Sequence, residues 1–230
     1  MRLNKYLAWK KFSTRKASDD LIKKGQVFIN NKKAEVGMMV QEGDAVEVKF
    51  RGKPTPYFYY AYNKPKGIST QQEEGAGEKT GKKIVHSFPK GVFPIGSLEK
   101  EAHGLMILTN DGRITDRLLS GAYTDEKEYV VTTTAPLRES FAKKMEAGPT
   151  IEGEKTKPCK VHLLNENTST VTLTEEKRHQ VRRMYSALFQ EVKDIQRVRI
   201  LNIKLGALTA GAHRPIVGDE LKEFLGTLLG

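Results

Sequence analysis

The chain has 230 residues with 38% apolar content, enough to bury a core in one large domain or in a small one followed by a medium one. Its 39 Lys and Arg against 28 Asp and Glu give a formal charge of +11, so the expected partner is a polyanion, because counterions released from phosphates drive cations onto them. Cys159 is the only cysteine, which excludes an intrachain disulfide and a thiolate-rich metal site, and the five histidines form no H-x-x-x-H pair, so no metal is expected. The opening MRLNKYLAWKKF carries no signal-peptide core, and no apolar run approaches a membrane span; the expectation is a cytoplasmic protein without a membrane partner.

Residues 1–33 hold ten Lys or Arg against Asp19 and Asp20, so the N-terminal end is a separate positive surface. Leu3 and Leu7 are four apart, and Ala17 and Leu21 repeat that spacing, which predicts two short amphipathic helices. Ser13 or Thr14 is placed to cap the second helix and Gly25 to end it. VFIN and AVEVKF read as short strands. The stretch 49–57, KFRGKPTPY, resists helix and central strand alike and reads as a linker, dividing a unit at 1–48 from one at 58–230.

Beyond the linker, YFYYAYNK, GLMILT, KEYVVTTT, PCKVHLL and STVTLT read as strands rich in β-branched and aromatic residues. GRITDRLLSG, PLRESFAKKMEAG and RHQVRRMYSALF read as helices, and VKDIQRVRILNIKLG alternates like a strand. Several strand pairs lack an intervening helix, so the class is α+β with a mixed, largely antiparallel sheet rather than a doubly wound one. Residues 71–83 only superficially resemble a phosphate loop, because Ala76 stands where a P-loop needs glycine; a polar surface loop is the reading.

Residues 177–204 form the second basic block, with eight Lys or Arg against Glu191 and Asp194. RHQVRRM places Arg178, Arg182 and Arg183 on one predicted helix, where the guanidinium fork suits phosphate or carboxylate; a solvated helix flank is the plain alternative. Tyr129 taken alone is most simply cross-strand packing. His103 and His179 are read as structural or RNA-facing rather than catalytic.

RLNKYLA, STRKASDDLIKKGQVFINN and EGDAVEV, in that order, resemble the S4 RNA-binding module over nearly all of residues 1–48. Arg2, Lys5, Arg15, Lys16, Lys23 and Lys24 are then expected on its RNA-binding surface, giving affinity through phosphates without reading sequence. YNKPKGIST, FPIGSLEKEAHGLMILTNDG, EKEYVVT, KTKPCKV, RHQVRRM and VRILNIKLG together resemble the ribosomal pseudouridine synthases of the small-subunit type. Their likeness is closest to the branch acting on large-subunit rRNA at its F-type site.

The resemblance implies uridine-to-pseudouridine isomerisation in ribosomal RNA, with rRNA or a pre-ribosomal particle as partner, no cofactor or metal, and a monomer. It places Glu99 where the family has its reacting aspartate, Tyr129 against the everted base and Arg182 on the carboxylate, with Lys64, Arg178 and Arg183 as further RNA contacts. An aromatic face replaces stacking lost by an extruded base, and an arginine keeps a carboxylate ionised. Where the family reads G-R-L-D, this chain reads Gly96-Ser97-Leu98-Glu99. Glutamate keeps the charge but moves it by up to about 1.5 Å, one carbon–carbon bond, and a misplacement near 1 Å costs on the order of a hundredfold in rate. Two functions therefore stand side by side: a pseudouridine synthase using Glu99, or an rRNA-binding relative that has lost catalysis and serves as a ribosome-associated binding or folding factor. A basic structural protein without an RNA role is the third.

Overall fold

The structure, a computed structural model, describes residues 1–10, 12–13, 15–49, 56–70, 88–119, 125–175 and 177–229, the side chains of 16 and 116 excepted. Thr14, most of the expected linker and the polar stretch 71–83 lie outside the described residues.

The N-terminal elements are α1 (Leu3–Trp9), α2 (Arg15–Lys23), β1 (Val27–Ile29), β2 (Lys32–Lys33) and β3 (Val46–Val48). The strands form an antiparallel sheet in the order β2-β1-β3. Asn30 and Asn31 both have positive φ, 49° and 64°, the pattern of a two-residue turn whose twist matches its flanking strands. Leu3, Leu7, Ile22, Val27, Ala34 and Val40 close the core, and Gly25 ends α2 with φ 66°.

The following elements are β4 (Tyr59–Lys64), β5 (Phe93–Ile95), β6 (His103–Thr109), a 3-10 turn at Gly112–Ile114, α3 (Thr115–Leu119), β7 (Lys127–Thr133) and α4 (Glu139–Glu146). After them come β8 (Thr150–Ile151), β9 (Glu154–Lys155), β10 (Lys160–Asn165), β11 (Thr168–Leu173), α5 (Gln180–Ala187), β12 (Val192–Ile200), β13 (Ile203–Lys204), β14 (His213–Pro215) and α6 (Gly218–Leu229). Among the described residues one sheet runs β10-β11-β7-β12-β6-β4-β14, with β13 on β12 and β5 on β6. Only the β12–β6 pair is parallel, so the sheet is mixed and largely antiparallel, as the strand spacing implies.

The sheet is covered on both faces. Met106, Tyr129, Val131 and Ile195 face one core with Leu98, Phe141 and Val181. Leu105, Ile107 and Ala61 face the other, with Phe224 and Leu228 of α6. Four consecutive residues of β6, Leu105 to Leu108, are fully buried, which is why GLMILT reads as an unbroken apolar run. Each such side chain stabilises the fold by about 1.5–3 kcal/mol. At the start of this strand Gly104 has φ 106° and pairs with Arg197, where an added Cβ would overlap the Arg197 backbone. The loop 96–102 enters the core beside that contact.

Two features differ from the sequence reading. The segment 213–229 forms β14 and α6, where Leu221, Phe224, Leu225 and Leu228 follow helical spacing although Gly218 and Gly226 interrupt the propensity. Arg178 precedes α5 rather than lying on it, because His179 takes a left-handed conformation with φ 53° and the helix starts at Gln180.

Candidate active site

The loop Gly96-Ser97-Leu98-Glu99 is held from behind by the K-P-K-G-I-S-T segment. Thr70 Oγ1 donates to the Leu98 carbonyl and accepts from the Leu98 amide, each at 3.1 Å, while the Gly67 amide donates to the Lys100 carbonyl at 2.8 Å. Glu99 and Ala102 close the turn through a 3.1 Å backbone bond. Lys64 is 0% exposed, and its ammonium donates to the carbonyls of Ile68 (2.8 Å), Pro65 (2.9 Å) and Lys100 (3.3 Å). Three acceptors match the three donors of an ammonium. Burial pulls the Lys64 ammonium down to about 8, Arg197 adding to the effect and Glu101 opposing it. Lys64 therefore is not a surface cation for RNA: the sheet closes over it, and it clamps the segment that carries Glu99.

Within the loop, Glu99 reaches a guanidinium and an imidazole with two different oxygens. Arg182 Nε donates to Oε2 at 3.2 Å, and His179 Nδ1 lies 3.1 Å from Oε1. Arg182 also donates from Nη1 to the Val192 carbonyl at 3.0 Å, which fixes the guanidinium against β12. The carboxylate side chain keeps 18% exposure, so it borders solvent rather than being sealed in the core. His179 was not separable from a surface histidine by sequence; its positive φ at the entry to α5 turns it towards Glu99, and such backbone outliers cluster at functional sites.

Glu99 and His179 border a cleft of about 690 Å³. Tyr129 lines it from β7, with Leu173, Ile195, Val181 and Leu98 as apolar neighbours and Lys177 and Arg178 at the cationic side. The structure thus brings Glu99 and Tyr129 to one cleft, while Arg182 does not line it and reaches it only through its bond to Glu99. Glu175 also lines it, but its Oε1 accepts from Gln180 Nε2 (2.6 Å) and the Lys157 amide (3.0 Å), which secures the entry to α5. Beside the loop, Asp194 contacts the Lys66 ammonium, and its Oδ2 lies 3.0 Å from His103 Nε2, tying the K-P-K-G segment to β12 and β6. Burial would raise the Asp194 carboxyl, but bonds from Lys66 and His103 outweigh it and hold it below its ordinary value.

The lone thiol is not a rival nucleophile. Burial, then Glu146 and Glu175, push the Cys159 thiol up to about 12, so it supplies no thiolate near neutral pH. Among the described residues no three His, Cys, Asp or Glu side chains gather to hold a metal. No helix among them is long and apolar enough to cross a membrane.

Arg2, Lys5, Arg15, Lys23 and Lys24 are exposed on the N-terminal unit; the Lys16 side chain lies outside the described set. Arg178 is exposed at the cleft. Arg183 is partly covered, its Nη2 lying 2.5 Å from Glu152 Oε1 in the β8–β9 turn, and Lys177 pairs with Glu154 at 2.7 Å.

Comparison with known proteins places this geometry. Residues 58–187 match the RNA pseudouridylate synthase family, and residues 1–46 match the S4 domain. The chain belongs to the RNA pseudouridylate synthase family. It is 37% identical over 225 residues to the dual-specificity RNA pseudouridine synthase RluF of Escherichia coli (strain K12), covering 96% of this chain and 77% of that protein. Ribosomal large subunit pseudouridine synthase B of Bacillus subtilis (strain 168) is 31% identical, covering 96% of this chain and 94% of that one. A crystal structure of a pseudouridylate synthase superposes with a TM-score of 0.69 at 26% identity, covering 97% of this chain and 99% of its own. In this synthase the sequence reading missed two parts of the site, the Lys64 clamp and the His179 contact. The first had a signal, a lysine closing the apolar strand YFYYAYN; the second had none, since it depends on one backbone angle.

Proposed function

We propose that this chain isomerises uridine to pseudouridine in ribosomal RNA, that of the large subunit by the names of its relatives, with Glu99 as the reacting carboxylate. The observation that carries the reading is a carboxylate held by Arg182 and His179 in the same cleft as Tyr129. Arg182 and His179 fix the direction of the carboxylate, and a reacting group must be held in position. Tyr129 offers an aromatic face to a uracil taken out of its stack, and the apolar neighbours exclude water around it. The reaction breaks C1′–N1 and forms C1′–C5; a proton leaves C5 and one is taken up at N1, so atoms and electrons balance without an oxidant or reductant. The extra methylene of glutamate is absorbed by a loop pinned at Leu98 and Lys100, so the carboxylate spans Arg182 and His179 instead of hanging free.

In this reading residues 1–48, joined through 49–57 to residues 58–230, hold the RNA with Arg2, Lys5, Arg15, Lys16, Lys23 and Lys24, and Arg178 and Arg183 hold it at the cleft. The protein acts as a monomer in the cytoplasm. Ser97 in place of the family arginine, together with both Glu99 oxygens being engaged, supports the second reading, an rRNA-binding relative without catalysis. Incubating the chain with large-subunit rRNA transcripts, digesting to nucleosides and separating them decides between the two. A pseudouridine peak that grows with protein supports the enzyme; retained RNA binding with no such peak supports the binding factor.

A further inference from the structure

Among the exposed large apolar side chains described in the N-terminal unit, Trp9 is the most open to solvent. Trp9, the only tryptophan of the chain, is 63% exposed at the end of α1. The position follows from helical geometry. Leu3 and Leu7 point into the core, and Trp9, two residues further at about 100° per residue, leaves on the opposite side. Lys5 is four residues before Trp9 and Arg2 seven before, so the three share one exposed face, spread over about 10 Å at 1.5 Å per residue. Lys10 Nζ stands 4.7 Å from the indole centroid, and the Tyr6 ring braces its edge at 5.9 Å with a 53° tilt. Tyr6 itself packs on the core, so the indole sits on a rigid base.

An indole exposed to this degree presents a flat apolar face on which a planar ring can stack. Residues 1–33 hold ten Lys or Arg against two Asp, a balance that repels a basic partner and attracts a phosphodiester chain. Cations along a helix face with an aromatic at its end are what a single-stranded nucleotide needs: phosphates on Arg2 and Lys5, a base on the ring. Lys10 is a weak competitor for the ring, since its ammonium gains more from a phosphate than from an exposed aromatic face.

We propose that Trp9, backed by Tyr6 and flanked by Lys5 and Lys10, is a stacking site for an unpaired base of the bound RNA, separate from the cleft at Glu99. It rests on the RNA-binding reading above and adds a second point at which single-stranded RNA is held. The lone tryptophan makes the site its own reporter. Titrate the full chain with a fluorescently labelled rRNA stem–loop and with the same stem fully paired, following RNA anisotropy and indole emission together. The expected result is indole quenching that tracks anisotropy for the stem–loop and is small for the paired stem. Trp9→Ala is expected to weaken stem–loop binding about tenfold with an unchanged salt slope, whereas Lys5→Gln lowers the slope, by about 0.7 for each single-strand phosphate that is no longer neutralised. Trp9→Phe should recover part of the affinity. Stem–loop binding with a silent indole, or unchanged affinity in Trp9→Ala, overturns the proposal alone. A blue shift that rises with protein concentration without RNA overturns it in favour of self-association, and absence of any RNA binding overturns both it and the reading beneath it.

Discussion

The Arg113–Asp111 and Arg182–Glu99 pairs, whose acids lie about a dozen residues apart in sequence, are built for opposite ends. Asp111 is 0% exposed and saturated: Oδ1 accepts from the Arg113 amide (3.1 Å) and Nε (2.8 Å), Oδ2 from Arg113 Nη2 (2.8 Å) and the Tyr59 hydroxyl (2.5 Å). Burial alone would raise its carboxyl, yet the bonds from Arg113 and Tyr59 outweigh it and hold it below the ordinary value. Glu99 has one arginine bond at 3.2 Å and one histidine contact at 3.1 Å, and it borders the cleft. A bidentate, fully satisfied pair belongs to the scaffold, while a carboxylate with one contact per oxygen at a cavity edge keeps lone pairs for a ligand. The same residue types thus report stability in one place and chemistry in the other, and exposure together with saturation separates them.

Removing each acid should break that comparison in opposite ways. Glu99→Ala is expected to reduce isomerisation by about a thousandfold or more, while urea unfolding moves by less than about 1 kcal/mol, because a partly exposed pair contributes little. Asp111→Ala is expected to lower unfolding free energy by about 3–5 kcal/mol, since Arg113 and Tyr59 lose their common partner in a buried site. Activity per folded molecule should hardly change. The sign of the acid dependence follows from the lowered carboxyl: its stabilisation is complete above the ordinary Asp value of about 3.9 and is lost as pH falls through the lower folded value. Asp111→Asn should therefore show a flatter acid limb in a pH series of urea melts than the parent.

The Lys64 clamp sharpens the comparison on the side of the site. Lys64→Met is expected to cost about a hundredfold in turnover by freeing the loop. In the parent, activity should fall as pH rises through about 8, where the amine becomes neutral and keeps two donors for three carbonyls. Stability should move the other way. The unfolded lysine holds its proton to about 10.4, so between there and the folded value the fold binds fewer protons and this group's contribution rises with pH. A melt and a rate measured at the same alkaline pH separate loop release from unfolding. The smallest effect concerns the β8–β9 turn: Glu152→Gln with Glu154→Gln, freeing Arg183 and Lys177, should tighten rRNA binding about threefold at low salt and not at high salt.

Much of the fold was legible because the signals are local. The run GLMILT announces a strand buried on both faces, and Leu3 with Leu7 announces the inner side of α1. The convergence of residues 99, 129 and 182 came from resemblance, since nothing in spacing brings three distant segments to one cleft. What stayed hidden is non-local or conformational. Lys64 looks like a surface cation until the sheet covers it, His179 becomes a neighbour of Glu99 only through a left-handed backbone, and α6 is diluted by two glycines while its apolar face still packs.

The central claim, that Glu99 does the work of the family aspartate, is tested most directly by tritium release from large-subunit rRNA transcripts labelled at uridine C5, using the parent, Glu99→Ala and Glu99→Asp at equal RNA occupancy. The account predicts steady release by the parent and none above background by Glu99→Ala. Release by the parent no faster than by Glu99→Ala, with Glu99→Asp gaining activity, would contradict it.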